Sequence, residues 1–169
     1  MLFLLLIIGT ILSFLSLHHK LPFISWFLYN FERAHVHPGK GAICYLIGAL
    51  FAVILFPQDI ALASIMILAL ADSVSHYVGF NHGRIPHPFN KEKFLEGSVA
   101  GILAGFLGAW IFVSSLEAFI AAFAAMVVEG FEIQFNGKLA NDKLVDDNIL
   151  IPLVAGACIL LLRWFVHFI

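Results

Sequence analysis

Charge is scarce in this chain. Asp, Glu, Lys and Arg make up 12% of its 169 residues against 62% that are hydrophobic, and the mean hydropathy is +0.99. A water-soluble domain carries charge at about 25–35% of its surface positions, so this composition excludes an ordinary soluble fold and indicates an integral membrane protein. Cysteine is almost missing too. Cys44 and Cys158 both fall in apolar runs, which leaves no disulfide framework and no zinc site and predicts two buried, inert thiols. No basic residue precedes the apolar run 2–17 and no small-x-small cleavage site follows it, so the run reads as a retained first span rather than a cleaved signal. Internal repeats and low-complexity tracts are absent from the sequence. The net charge of -2 says nothing of partners, because what matters in a membrane protein is where the charges sit; no nucleic acid is expected among them.

What is present is a series of apolar runs at 2–17, 40–56, 59–79, 96–114, 116–134 and 149–169. A helix needs about 20 residues to cross roughly 30 Å of hydrocarbon, so each run can span when its flanks are included, the first with some local thinning. Continuous Leu, Ile, Ala and Phe favour helices over the short alternating strands of a barrel. The expected fold is all-α: one membrane-embedded domain over 1–169, with about six transmembrane helices. Pro57 and Asp59 predict a tight turn between the second and third spans, and "SSLE" another, with Ser115 as its N-cap. Residues 21–34, "LPFISWFLYNFERA", are too polar to span and suit an interfacial helix.

Eight of the nine basic residues fall at the edge of or within three polar segments, 18–39, 80–95 and 135–148. With six spans these segments share one face. The positive-inside rule makes that face cytoplasmic and puts both termini outside.

The same face collects the groups that could carry chemistry. Asp72 stands in an apolar run, where a carboxylate costs about 2.5–3.5 kcal/mol on insertion scales and needs a partner or a job. A helix places Asp72, His76, Gly79 and Gly83 on one side, with Asp72 and His76 close enough to hydrogen-bond. Glu129 and Glu132 sit three apart near the inner end of the fifth span, where a cation between acids is expected, magnesium being the obvious one. Gly97, Gly101 and Gly105 recur every fourth residue, a stripe that lets membrane helices approach closely. In "NKEKFLEGS" a basic loop feeds a helix N-terminus, a place for phosphate, with Arg84, Lys91 and Lys93 adding charge. Asp146, Asp147 and Asn148 precede the sixth span; capping needs only one of them, with Asn148 or Asp147 the simplest choice. Acids and bases together fit a metal-bound polyphosphate.

The stretches "ADSVSHYVGFNHGR", "EKFLEGSVAG" and "DDNILIPLVAG" resemble, in order and position, three motifs of the CTP-dependent polyprenol kinase family, which includes dolichol and phytol kinases within the phosphatidate cytidylyltransferase-like superfamily. The resemblance covers about residues 40–160. Ala71 stands where the family usually has Gly, and Phe94 where Ser or Thr is common. The resemblance implies transfer of the γ-phosphoryl of CTP, with magnesium, to the hydroxyl of a polyprenol-, dolichol- or phytol-like lipid alcohol. It implies Asp72, Glu96 and Lys93 as catalytic residues and Asp72, Glu129 and Asp147 as metal ligands. Arg84, Lys91, Gly79, Gly83, Gly97, Ser98 and Asn148 would lie at the nucleotide. Partners would be the nucleotide, the lipid alcohol and membrane lipid, with a homodimer left open.

Two other readings compete. A CDP-lipid synthase of the cytidylyltransferase type shares the Glu-Gly element but usually carries a Lys-Asp and a Pro-Gly-His-Gly-Gly stretch where this chain has "DDNILIPL". A small ion- or proton-coupled transporter would use Asp72, His76 and Glu129 as a path. That path should continue to the far face, where the spans carry essentially no ionisable groups.

Overall fold

Small side chains on the inside and large ones on the outside organise this molecule. The computed structural model describes residues 1–18, 39–90, 93–131 and 146–168. The interfacial helix expected at 21–34, Lys91, Glu132 and the basic stretch 135–145 lie outside them.

The described elements are helices, with one isolated backbone bridge between Pro86 and Phe94. Helix α1 is Leu2–His18 and α2 is Lys40–Leu55. Helix α3, Gln58–Ile67, runs through a π turn, Leu68–Asp72, into α4, Ser73–His82, making one continuous rod. Helices α5, Leu95–Ala109, α6, Ser115–Gly130, and α7, Asp147–Phe168, complete the set. The expected all-α class therefore stands. Two rods, Gln58–His82 and Asp147–Val166, are long and apolar enough to cross a membrane; Lys40–Leu55 and Leu95–Ala109 are apolar but shorter.

The core holds Ala63, Ala71, Ala109, Ala118, Ala121, Ala122, Ala125 and Ala155 with a few larger residues, among them Ile60, Ile67, Met126 and Ile159. Outside, Ile54, Phe80, Ile111, Phe119 and Val166 are exposed. Helices of a membrane protein gain little from hiding Leu or Phe, since lipid is equally apolar, and associate instead through close backbone approach. Gly101 and Gly105 show this directly: a Cβ on Gly101 would sit 2.9 Å from the Ala71 carbonyl oxygen, and one on Gly105 3.0 Å from the Ala71 Cβ.

The turn at Phe56–Pro57 is anchored by the Phe56 ring, which fills the space over Gly156, where a Cβ would come within 2.3 Å of it. The turn before α6 is capped by Ser114, not by Ser115 as the sequence suggested. Ser114 Oγ accepts from the Glu117 backbone N–H while the Glu117 side chain accepts from the Ser114 N–H, a capping box.

Candidate active site

Two glycines on crossing helices create the site. A Cβ on Gly97 would lie 2.5 Å from the Ser75 carbonyl oxygen and 3.1 Å from the Gly79 Cα, so α4 and α5 touch backbone to backbone. Gly83 ends α4 under the Phe94 ring, which a Cβ there would meet at 2.3 Å.

The loop between these helices is tied down by Glu96. Its Oε1 accepts from the backbone N–H of Arg84 (3.2 Å) and of Ile85 (3.1 Å), and its Oε2 from Ile85 (3.2 Å). Further bonds run from the Leu95 N–H to the Ile85 carbonyl (3.0 Å) and from the His87 N–H to the Lys93 carbonyl (2.9 Å). A carboxylate thus stands at the start of α5 and holds the loop amides of Arg84 and Ile85.

This clamp aims Lys93 at the far end of α6. Its Nζ donates to the Glu129 carbonyl (2.8 Å) and to Glu129 Oε1 (2.5 Å), and lies 3.6 Å from Asp147 Oδ2. Carbonyls in the last helical turn lack intrahelical partners and favour a cation. Glu129 is only 6% exposed, so its charge depends on that ammonium. Asp72, half-buried at the end of the π turn, is close enough for its charge to act on Glu129.

The sequence therefore identified three residues that meet, Lys93, Glu129 and Asp147, but not their chemistry. Among the described residues no group of three acids, histidines or cysteines could hold a metal ion. The cation between Glu129 and Asp147 is Lys93, whose ammonium the loop tied by Glu96 brings to hydrogen-bonding distance of the buried Glu129 carboxylate.

Asp146 caps α7, its Oδ1 accepting from the Asn148 N–H (3.1 Å) and side-chain amide (2.8 Å). This corrects the choice of Asn148 or Asp147 and leaves Asp147 to face Lys93. Helix α2 rests on the same spot, since a Cβ on Gly48 would lie 2.1 Å from the Asn148 carbonyl oxygen.

Beside Lys93 an open cavity of about 110 Å³ is lined by Ser75, His76, Gly79, Phe80, Phe94, Ser98 and Glu129. Arg84 is exposed at the loop, and Glu96 faces the loop amides. His87 closes the end of α6, its ring 2.6 Å from where a Cβ on Gly130 would be. Burial, then the charge of Lys93, pushes the His87 imidazole below its usual pKa, so it stays neutral at pH 7.

Sequence reasoning missed a second ionic cluster. Arg163 Nη1 lies 2.6 Å from Asp59 Oδ2, and its Nε 2.7 Å from Glu117 Oε1. Glu117 is 12 residues before Glu129 on α6, about 18 Å away along the axis. The far end is thus not free of ionisable groups, contrary to expectation, but these three are paired with one another.

With this geometry in place, comparison with known proteins is informative. The chain is 29% identical to CTP-dependent diacylglycerol kinase 1 of Eremothecium gossypii over 125 residues, 74% of this chain and 38% of that protein. It is 30% identical to a probable chloroplastic phytol kinase of Glycine max over 131 residues, 68% of this chain and 42% of that one. This chain is a relative of CTP-dependent lipid kinases. It spans about two fifths of the length of those two relatives. An uncharacterized protein of Methanocaldococcus jannaschii matches at 29% identity over 89% of this chain and 73% of its own length. No protein-family model and no solved structure matches.

Proposed function

We propose that this chain transfers the γ-phosphoryl group of CTP to the hydroxyl of a membrane lipid alcohol, of the diacylglycerol, phytol or longer polyprenol and dolichol class. The observation that carries the reading is Lys93, held by Glu129 and Asp147 at the wall of an open cavity. Phosphoryl transfer asks a protein mainly for positioning and charge stabilisation. An ammonium kept beside two carboxylates is pre-placed for phosphate oxygens, which take the place of the more distant Asp147 while Glu129 keeps its bonds, without a new cation being brought in. Gly79, Gly97 and Ser98 line or shape the same wall and let a phosphate chain approach the backbone. Phe80, exposed and part of the cavity lining, suits an acyl or isoprenoid chain arriving sideways from the bilayer. Magnesium accompanies the triphosphate in this proposal, as one or two carboxylates and the phosphates can hold it, and no step is assigned to it. The positive segments support a cavity on the cytoplasmic face of a multi-pass protein with both termini outside.

Purified protein in detergent is incubated with magnesium, a panel of diacylglycerol, phytol, polyprenols and phosphatidate, and CTP labelled at either the α- or the γ-phosphorus. Label from the γ position alone should enter lipid. Label from the α position in lipid, with pyrophosphate released, would establish the CDP-lipid synthase instead.

A further inference from the structure

We propose that His76 accepts the proton of the attacking lipid hydroxyl, a role that rests on the kinase reading above and that neither the comparisons nor the sequence motifs assign. The cavity presents three titratable side chains, His76, Lys93 and Glu129. Lys93 is a cation bound to two carboxylates, and Glu129 is buried with its charge committed to Lys93, so a proton placed on it would release the lysine that holds phosphate. From α5, the helix packed against α4, the acid is Glu96, and its carboxylate is occupied by the amides of Arg84 and Ile85. On its own rod His76 has Asp72 one turn before it and His82 near the end of α4; both stand outside the cavity lining, and His82 is exposed. The His76 side chain is itself exposed and lines the cavity.

Its neighbours set the direction of approach. Phe80 follows one helical turn later on the same face, about 5–6 Å away between Cβ atoms, and also lines the cavity. An apolar chain lying over Phe80 therefore delivers its hydroxyl head to His76, with Lys93 beyond it. The hydroxyl oxygen forms a bond to the γ-phosphorus. The bond from that phosphorus to the β–γ bridging oxygen breaks, and its electron pair leaves with CDP. The hydroxyl proton passes to the imidazole, the side chain in the cavity that can take it without giving up an ion pair.

The test compares wild type with His76→Gln, which keeps size and hydrogen bonding but cannot take a proton. Lipid phosphorylation from γ-labelled CTP is followed from pH 5 to 8.5, alongside CTP binding and thermal midpoint. The variant should lose about 10²–10⁴-fold in kcat, bind CTP as wild type does, keep its midpoint, and lose the acid limb of the rate profile. An active wild type whose variant keeps the rate and the acid limb, or loses CTP binding in proportion, overturns the role of His76 alone. A wild type that puts no γ-label into any lipid overturns the kinase reading, and this role with it.

Discussion

At the scale of single residues, Lys93 and Glu129 can be separated by asking what each is worth without the other. Lys93→Met strands a buried carboxylate and should lower stability by about 3–5 kcal/mol, read as a fall in thermal midpoint in detergent, with lipid phosphorylation abolished. Adding Glu129→Gln removes the stranded charge, so the double variant should regain most of the stability and none of the activity. Recovery of both would place Lys93 outside the chemistry. The three residues of this contact were legible in the sequence because an acid or base beside hydrocarbon must have a reason. Their pairing was not, since Lys93 and Glu129 are 36 positions apart and composition cannot say whether a metal or an ammonium sits between carboxylates. Glu96 illustrates the same limit: its place in a family motif marked it, but only the loop amides of Arg84 and Ile85 show what its oxygens hold.

At the scale of helices, contact between α4 and α5 rests on an absent side chain. Gly97→Ala puts a Cβ against the Ser75 carbonyl, and overpacking of this kind costs about 1–3 kcal/mol; it should also displace Lys93 and reduce transfer. Gly41→Ala is the matched control, because nothing lies within 4 Å of a Cβ there. It should be neutral or stabilise by up to about 1 kcal/mol through helix propensity. Unfolding midpoints of the two variants decide the matter. Periodicity made the helices and the glycine stripe readable, since both follow from local sequence. The π turn Leu68–Asp72 was not readable: "LALAD" is an unremarkable helical stretch, and the extra residue is set by what packs on it. The cap at Ser114 could have been found, because Ser114 and Glu117 have the spacing of a capping box.

At the scale of the whole molecule, ionic contacts mark the two ends of the bundle. Lys93, Glu129 and Asp147 join the α4–α5 loop, α6 and α7 at one end; Arg163, Asp59 and Glu117 join α7, α3 and α6 at the other. Arg163→Met should lower the thermal midpoint, by the equivalent of about 1–3 kcal/mol, while leaving lipid phosphorylation within a few-fold of wild type. Equal loss of both would mean that the far cluster governs the site. Arg163 also explains why one basic residue stands apart from the other eight without upsetting the charge asymmetry: two carboxylates neutralise it. The central claim is that Lys93 is the group that receives the triphosphate. Equilibrium binding of CTP to wild type, Lys93→Arg and Lys93→Met/Glu129→Gln tests it most directly. Binding retained with arginine and reduced at least tenfold in the double variant, which keeps the fold without the ammonium, is the predicted result; undiminished binding in the double variant would contradict it.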